Sequence, residues 1–329
     1  MKALICRELG SLDGLTVGEI AEPVPAAGQV LVEVTAAVVN YVDALMVLGR
    51  YQITPPTPFT PGIDIAGTIV ATGPDRERFA VGDRVHGLAP FGGFAQRVAA
   101  DETALRPTPD DLPSDLAATT GTTYWTAIDA LTSVAKLQPG EDLVILGAAG
   151  AVGSAAIGIG KALGARVIAC ASTAEKLTFC TALGADEVID YSSGSLKDAI
   201  KRLCPRGAGV VLDLVGGPAT EAALRATGHG GRFIVTGFAS GQIPKVPLNL
   251  VLLKGSSIAG YEILDFETHF PLDADTNRTR LESLLAEGTV KPPITARYGL
   301  DQAPQALARA AGRDKCGITL LDLSDGRQS

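Results

Sequence analysis

The fold is decided by the stretch Leu143-Val144-Ile145-Leu146-Gly147-Ala148-Ala149-Gly150-Ala151-Val152-Gly153. An apolar run ends there in a turn of small residues, and an Ala- and Gly-rich segment of helical character follows it to Gly164. This order predicts a strand, a tight turn and the N-terminus of a helix. Backbone N–H groups and the helix dipole at such a turn favour an anion, as in the binding of a dinucleotide pyrophosphate. The stretch therefore predicts a nicotinamide-dependent enzyme.

The turn alone is weak evidence for a cofactor. Aligned on G-x-G-x-x-G, it has Ala148 at the first position, and only Gly150 and Gly153 match. Small residues at this point can also serve only to let a helix pack closely on a strand. A transmembrane helix is a further alternative, since residues 143–160 carry no charge, but their five glycines and marginal length argue against it.

The end of the next predicted strand, Arg166–Cys170, concerns the choice of cofactor. NAD-binding proteins usually carry an acidic residue just past this strand, where it holds the ribose 2′-OH. This chain has Ala171, Ser172 and Thr173 there, followed by Lys176. Two hydroxyls and a cation, without a carboxylate to repel a 2′-phosphate, favour NADPH over NADH.

A purely structural interpretation of the same residues stays open. Ser172 with Glu175 matches the capping-box pattern of a helix N-terminus, and Lys176 is then a solvated surface residue.

Composition limits the class of protein. The chain has 329 residues, 46% of them hydrophobic, and a formal net charge of −8, which allows one large domain or two ordinary ones with a sizeable core. The acidic balance argues against nucleic acid or an anionic membrane as the main partner. Five cysteines without C-x-x-C spacing fit a reducing compartment, and charges in the first eight residues interrupt any secretory leader. We therefore expect a cytoplasmic protein.

The chain changes character twice. Residues 1–117 are rich in Gly, Pro and short β-like runs, among them Gln29–Val39, which predicts a twisted, mostly antiparallel or barrel-like module. Residues 118–258 alternate short apolar strands with helices, which predicts βαβ units and a parallel sheet with helices on both faces. From residue 259 to 329 the character is mixed again.

The strands expected in the middle region are Asp142–Gly147, Arg166–Cys170, Glu187–Asp190, Val210–Leu214 and Arg232–Gly237. The helices expected between them are Ala151–Gly164, Thr173–Leu183, Ser195–Leu203 and Pro218–Thr227. In the last region we expect helices at Asn277–Glu287 and Gln302–Ala311 and a strand at Gly317–Leu323.

Short motifs spread along the whole chain resemble the medium-chain dehydrogenase/reductase superfamily, and within it the zinc-free quinone oxidoreductase (zeta-crystallin-like) branch. Each motif is weak alone, but their order and spacing together are specific. They are Val39-Asn40-Tyr41-Val42-Asp43, Leu48-Gly49-Arg50-Tyr51, Pro58-Phe59-Thr60-Pro61-Gly62, Val81-Gly82-Asp83-Arg84-Val85, Gly121-Thr122-Thr123-Tyr124-Trp125-Thr126-Ala127, Leu183-Gly184-Ala185-Asp186, Asp213-Leu214-Val215-Gly216-Gly217 and Leu252-Leu253-Lys254-Gly255.

The resemblance implies an α/β fold in which a Rossmann doubly wound parallel sheet domain is inserted into a β-rich GroES-like barrel, the catalytic domain. The catalytic domain then comprises residues 1–117 and 259–329, and the dinucleotide-binding domain residues 118–258. The chain departs from the family pattern at Ala151, where a second glycine is usual, at Gly158, where a Gln is common, and at residues 261–266. These departures concern the substrate more than the cofactor fold.

A catalytic zinc needs three protein ligands and an open position. Zinc-dependent members of the superfamily place His-Glu after a glycine where this chain has Gly62-Ile63-Asp64, and a Cys near the position of Asn40. The histidines His86, His229 and His269 are scattered. We therefore expect no metal.

Without a metal, reduction of an electrophilic carbon replaces zinc-assisted alcohol oxidation. The resemblance implies hydride transfer to a quinone or to the β-carbon of an α,β-unsaturated carbonyl compound, with hydrogen-bond donors stabilising the enolate or phenolate. It places Asn40 and Tyr51 beside the nicotinamide and substrate as the catalytic candidates. Their structural alternatives are a helix cap for Asn40 and packing in the Pro-rich loop for Tyr51. We expect Asp43 to organise the turn around Asn40.

The resemblance also assigns cofactor contacts along the chain. The pyrophosphate turn comprises Ala149, Gly150, Ala151, Val152 and Gly153, the 2′-phosphate corner comprises Ser172 and Lys176, and Tyr191 contacts the adenosine or the 2′-phosphate. Hydroxyls of Thr122 or Thr126 contact the nicotinamide, Phe238 and Ala239 follow another strand end, and Arg313 matches a basic position near the cofactor, unless it is a solvated charge at a helix end.

Two further expectations concern substrate and partners. Phe59, Phe91, Trp125, Tyr261 and Phe266 are candidates for a flat apolar pocket for a small-molecule quinone or enone, although aromatic residues more often belong to the core.

The apolar run Val246–Leu253 beside the sheet edge suggests a homodimer formed by strand pairing. An alternative function is a low-turnover NADPH-binding scaffold or sensor, with RNA binding as a side activity. A zinc alcohol dehydrogenase is a third possibility, for which the sequence supplies no ligand set.

Overall fold

The computed structural model describes residues 1–75 and 77–324. These residues pack into two compact units. One contains Met1–Thr122 and the C-terminal segment from Pro292 onward, and the other contains Thr123–Lys291.

Fifteen strands are described in these residues. In chain order they are β1 (Lys2–Ile5), β2 (Thr16–Glu19), β3 (Gln29–Val39), β4 (Asp64–Thr72), β5 (Arg84–Leu88), β6 (Arg97–Asp101), β7 (Leu105–Pro107), β8 (Asp142–Leu146), β9 (Arg166–Ala171), β10 (Glu187–Asp190), β11 (Ala208–Asp213), β12 (Thr227–Val235), β13 (Ser257–Gly260), β14 (Ile294–Gly299) and β15 (Ile318–Asp322).

The α-helices are α1 (Tyr41–Val47), α2 (Ser114–Thr119), α3 (Thr126–Asp129), α4 (Ala151–Ala162), α5 (Ala174–Ala182), α6 (Leu196–Leu203), α7 (Pro218–Ala226), α8 (Asn249–Lys254), α9 (Ile263–His269), α10 (Pro271–Ala286) and α11 (Ala303–Ala311). Wider helical turns at Thr120–Trp125 and Ala130–Val134 lie on either side of α3. No described helix combines the length and apolar character needed to cross a bilayer.

The unit of residues 123–291 is built on a six-stranded sheet of order β10-β9-β8-β11-β12-β13. Every neighbouring pair in it is parallel. The chain runs outward from β8 to β10 and then returns to the other side of β8 at β11, so the order reverses between β8 and β11. Ligands of such sheets bind at this reversal, outside the carboxyl ends of the strands. The predicted doubly wound sheet is confirmed, and the glycine turn follows its central strand.

Local patterning explains these strands well. Leu143 to Leu146 in β8 are all fully buried, as the uninterrupted apolar run of a two-sided buried strand requires. One side of the sheet packs into a core that includes Val144, Ile168 and Phe233. The predicted strand Glu187–Asp190 has the observed bounds of β10, and the other predicted strands of this unit overlap β8, β9, β11 and β12.

The other unit is β-rich and centred on the long strand β3, whose predicted bounds are those observed. One side of β3 pairs with β4, while the other side pairs with β6 near Gln29–Glu33 and with β15 near Ala36–Val39. Strands β5 and β7 continue the sheet beyond β4, β14 lies beside β15, and β1 pairs with β2 separately. Antiparallel pairing dominates, as expected for this region.

The compact units and the predicted domains differ most at the second boundary. The unit that contains the parallel sheet continues to Lys291 instead of ending at residue 258. Strand β13 adds the sixth strand to that sheet, and α10 packs on α3 within the same unit. The sequence after residue 259 has no clear alternation of strands and helices, so neither contact was predicted from it.

The predicted strand pairing through Val246–Leu253 is wrong in its geometry. Most of this run forms α8, and the edge strand beyond it is β13. Its backbone N–H groups are therefore used within a helix, while Leu248, Leu252 and Leu253 remain exposed. The homodimer itself stays a prediction.

Candidate active site

The turn after β8 has the backbone geometry of an anion site. Gly147 adopts a φ of +75°, which L-residues rarely adopt. A Cβ on Gly153 would lie 2.7 Å from the Cα of Ala148, so only glycine lets α4 approach the strand so closely. Sequence patterning predicted this strand, turn and helix N-terminus, and the structure has all three.

The first turn of α4 is left uncapped by side chains. Its N-cap is Gly150, which has no side chain to accept a hydrogen bond from the helix. By contrast, α5 is capped by Thr173, whose Oγ1 accepts from the N–H of Lys176 at 3.3 Å, and α6 is capped in the same way by Ser195. Initial N–H groups of a helix have no intrahelical partner, so those of α4 suit a bound phosphate.

A cationic corner lies at the carboxyl ends of β9 and β10. The Lys176 ammonium lies 3.5 Å from Ser172 Oγ. The N–H of Tyr191 donates to the carbonyl of Ala171 at 3.1 Å, which brings the ends of the two strands together. Because Thr173 caps α5, the capping alternative for Ser172 is wrong, and its hydroxyl lies beside the ammonium instead.

Asp190, a carboxylate close to this corner, forms its hydrogen bonds within its own turn. Asp190 at the end of β10 accepts from the N–H and the hydroxyl of Ser192, at 2.8 and 2.6 Å. These bonds lower the pKa of Asp190. Ala171 ends β9 and Ser172 follows it, where a ribose-binding acid would stand.

Phe238 and Ala239 lie in the loop after β12, next to the loop after β11. The N–H of Ala239 donates to the carbonyl of Leu214 at 3.1 Å. The β11 loop is anchored by Asp213, which accepts from the N–H groups of Val215 and Gly216, both at 2.9 Å. The Phe238 side chain is 40% exposed, so this part of the loop is accessible to solvent.

In the β-rich unit a fully buried carboxylate joins two of the predicted site residues. Asp64 Oδ2 accepts from Asn40 Nδ2 at 2.7 Å. Asp64 Oδ1 accepts from the N–H and the hydroxyl of Thr122, at 2.9 and 2.8 Å. Asp64 thus bonds to two residues that are distant from it in sequence, Asn40 by 24 positions and Thr122 by 58 positions. No local pattern predicts these contacts, and the sequence assigned Asp64 no role beyond replacing a zinc-family Glu.

Asp43 holds the turn around Asn40, as predicted. Its Oδ2 accepts from the backbone N–H of Asn40 at 2.7 Å, and the side chain is fully buried. Burial, with a smaller contribution from the Asp64 charge, raises the pKa of Asp43 to about 8. Burial also raises the pKa of Asp64 to about 6, against the lowering effect of its bonds to Thr122 and Asn40.

The helical turn before Thr122 is broken at Gly121. Its ψ of −120° departs from helical geometry. The break directs the N–H of Thr122 to Asp64 rather than to a helix carbonyl. A Cβ on Gly121 would collide with Asp64 Oδ1, so a glycine is required at this position.

The remaining predicted site residues are placed as follows. Thr126 begins α3 and is buried. Tyr51 is partly buried and packs against the core of the β-rich unit. Arg313 follows α11 and is exposed.

The five aromatic residues predicted to line a pocket separate into two groups. Phe59 and Phe91 make an edge-to-face contact with ring centroids 6.3 Å apart. Trp125, Tyr261 and Phe266 are buried in the other unit, where Arg278 covers the Trp125 ring and Tyr261 donates to Asp129. For these three, membership of the core is the better description.

The histidines do not form a cluster. His86 is buried with Nδ1 3.0 Å from Thr108 Oγ1, and burial lowers its pKa to about 4. His229 and His269 are exposed. Within residues 1–75 and 77–324, no three His, Cys, Asp or Glu residues lie together as metal ligands do.

Comparison with known proteins agrees with this architecture. Residues 26–110 match the alcohol dehydrogenase GroES-like domain, and residues 151–272 match the zinc-binding dehydrogenase domain. Quinone oxidoreductase-like protein 2 of Rattus norvegicus is 35% identical over 98% of this chain and 92% of its own length. The chain belongs to the zinc-free quinone oxidoreductase branch of the medium-chain dehydrogenase/reductase superfamily.

Solved structures of this superfamily have the same fold over the full length. The Escherichia coli quinone oxidoreductase, crystallised with NADPH, superposes with a TM-score of 0.91 at 25% identity, covering 98% of this chain and 100% of that one. The CurK enoyl reductase superposes with a TM-score of 0.86 at 25% identity, covering 98% of both chains. The β-rich unit is therefore the GroES-like domain, and the unit with the parallel sheet is the Rossmann domain.

Proposed function

We propose that this chain is an NADPH-dependent, zinc-independent oxidoreductase that reduces quinones or α,β-unsaturated carbonyl compounds by hydride transfer. The observation that carries the proposal is the corner of Ser172, Lys176 and Tyr191 after β9 and β10. The Lys176 ammonium lies beside a hydroxyl there, and the residue directly after β9 is Ser172 rather than an acid. A 2′-phosphate there gains a cation and a hydroxyl donor, whereas a 2′-OH gains no carboxylate acceptor.

The residues present fit the rest of such a cofactor. The first turn of α4, from Ala151 to Gly153, has no side-chain cap, so its N–H groups are offered to the pyrophosphate. Ala149 and Gly150, in the turn just before the helix, are assigned to the same pyrophosphate site. We assign Phe238, Ala239, Thr122, Thr126 and Arg313 to further cofactor contacts, as the family resemblance suggests. When bound, the nicotinamide supplies the hydride.

Asn40 and Tyr51 supply the hydrogen bonds in this proposal. Hydride addition to a quinone or an enone places negative charge on an oxygen, and an oriented amide N–H stabilises that charge without changing its own. The Tyr51 hydroxyl donates a hydrogen bond or a proton to the same class of oxygen. Where zinc-dependent relatives carry ligands, this chain has Asn40 and Ile63, whose side chains are not zinc ligands.

The two acceptor classes are each supported by a relative. The Escherichia coli structure is that of a quinone oxidoreductase, and CurK is an enoyl reductase. They differ in product: a quinone yields a hydroquinone, and an enone yields a saturated ketone with a reduced C=C bond. Product analysis therefore distinguishes them.

Replacement of Lys176 tests the cofactor assignment. K176A is expected to weaken NADPH binding by about 10-fold or more, equivalent to about 1.4 kcal/mol, and to leave NADH binding nearly unchanged. Titration calorimetry with each cofactor measures both dissociation constants. K197A, which removes a lysine of the same charge on α6, is the matched control and should alter neither. Equal losses for NADPH and NADH in K176A would contradict the phosphate role.

A further inference from the structure

The side chain of Asp64 has both oxygens occupied by neutral donors. Asn40 Nδ2 donates to Asp64 Oδ2, and the N–H and hydroxyl of Thr122 both donate to Asp64 Oδ1. An ionised carboxylate only accepts hydrogen bonds. The Asn40 amide must therefore turn its NH₂ group toward Asp64, which places its Oδ1 on the opposite side of Cγ within the same plane.

A merely structural contact would not need a charge at this position. Asp64 is fully buried, and the described groups that bond to it are uncharged. Burying a carboxylate without a cation is costly. A neutral Asn at position 64 could keep its Oδ1 on Thr122 and still bond to residue 40. It would then present an NH₂ group to Asn40, and the Asn40 amide would have to flip to accept from it.

We propose that Asp64 is a positioning residue, whose carboxylate sets the orientation of the Asn40 amide and so decides which hydrogen-bonding group Asn40 offers to the substrate or nicotinamide. The part that concerns substrate or nicotinamide rests on the proposed function, whereas the orientation of the amide does not. Asp64 acts through Asn40.

The titratable groups around Asp64 are few among the described residues. Asp43 on α1 interacts electrostatically with Asp64 and, with a pKa near 8, is protonated at neutral pH. On the neighbouring strand β5, His86 pairs in register with Ala66 and has a pKa near 4, so it is uncharged above pH 5. Protonation of Asp64, with a pKa near 6, therefore puts a proton on the carboxyl group that holds Asn40, and this pKa lies between those of His86, near 4, and Asp43, near 8.

NMR of the asparagine side chains tests the orientation without reference to activity. The chain has three asparagines, Asn40, Asn249 and Asn277, so selective ¹⁵N-asparagine labelling gives three side-chain ¹⁵N resonances in the wild type and a fourth in D64N. The Asn40 signal should shift with a midpoint near pH 6 in the wild type and lose this titration in D64N. Asn249, which is exposed, and Asn277, which donates to Asp129, are internal controls and should not follow it. An Asn40 signal that is the same in wild type and D64N across the pH range overturns the proposal.

Kinetics of two variants then tests what the orientation is for. D64N keeps the number of hydrogen bonds but flips the Asn40 amide, so kcat with NADPH and a quinone or enone should fall by about 10-fold or more while KM for NADPH changes little. N40D/D64N also keeps one bond between the two side chains, with the acceptor now at position 40, so thermal stability should be similar to that of D64N and turnover should stay low.

Full turnover in D64N, together with an altered Asn40 signal, would overturn the role of the orientation in catalysis. Recovery of wild-type kcat in N40D/D64N would show that only the bond matters and would equally overturn it. If the wild type itself reduces neither acceptor class, the proposed function fails, and the NMR titration still decides whether Asp64 orients Asn40.

Discussion

Two fully buried aspartates, one in each unit, are satisfied in opposite ways. In the Rossmann domain, Asp129 accepts from Arg278 Nη1 at 2.7 and 2.8 Å, from Asn277 at 2.9 Å and from Tyr261 at 2.8 Å. In the GroES-like domain, Asp64 is bonded by Asn40 and Thr122, both neutral. Both carboxylates are fully buried, but among the residues that the structure describes only Asp129 has a counter-ion.

The difference separates a structural ion pair from a buried polar cluster whose described hydrogen-bond donors are uncharged. Arg278 continues to Glu267 at 2.8 Å, and its guanidinium lies 4.6 Å from the centroid of the Trp125 ring. This network ties α3, α9 and α10 together. Asp64 and Asp43 carry no such compensation, and burial raises the pKa of both. Groups with strongly shifted pKa values are more frequent at functional sites, in agreement with the role proposed for Asn40.

The largest expected effect is the dependence of stability on pH through Asp43. Its pKa is raised from 3.8 to about 8, so the folded chain holds the proton more tightly than the unfolded chain. This contribution is fully present below pH 4 and is lost as pH rises through 8. Each unit of pKa difference corresponds to about 1.4 kcal/mol, so the loss amounts to at most about 6 kcal/mol.

The D43N variant measures this loss. It lacks the titrating group, so its free energy of unfolding relative to wild type should increase from pH 4 to pH 8. Urea unfolding of both proteins at several pH values gives the difference. A difference that is independent of pH would show that Asp43 is ionised in the folded chain at no cost, and that the two clusters are electrostatically alike.

A second large effect is expected at the compensated cluster. R278M leaves Asp129 buried without its cation, and breaking a buried pair in this way costs about 3–5 kcal/mol. Thermal or urea unfolding measures the loss. The double variant D129N/R278M removes the uncompensated charge and should recover part of the stability. If R278M alone is no less stable than wild type, Arg278 is not the partner on which Asp129 depends.

A smaller effect is expected at Gly121. A methyl group there collides with Asp64 Oδ1, so G121A should destabilise the protein by about 1–3 kcal/mol. G158A is the matched control, because Gly158 lies within α4 and its added Cβ would come no closer than 3.8 Å to Val290. Alanine is the better helix former by about 1 kcal/mol, so G158A should stabilise. The same sign for both variants in thermal unfolding would contradict the close approach at Asp64.

Sequence patterning predicted the parts of the molecule that depend on near neighbours. The apolar run 143–146, the glycine turn and the strand Glu187–Asp190 are determined by residues close in sequence, and the structure has them where expected. Ser172 and Lys176 were proposed from the residues that follow β9, whereas Tyr191 was proposed only from the family resemblance.

The parts that sequence patterning did not predict depend on distant residues. Asp64 meets Asn40 and Thr122 across 24 and 58 positions, and Asp129 meets Arg278 across 149. No periodicity marks such pairs. Val246–Leu253 was misassigned because a short apolar run fits an edge strand and a helix equally well, and only packing on the sheet decides between them.

NADPH oxidation by the purified protein, with quinones and enones as alternative acceptors and NADH in parallel, tests the central claim most directly. We expect consumption of NADPH in preference to NADH with at least one acceptor class, yielding a hydroquinone or a carbonyl compound reduced at its C=C bond. Tight binding of NADPH without consumption by either class would contradict a reductase and favour a cofactor-binding scaffold.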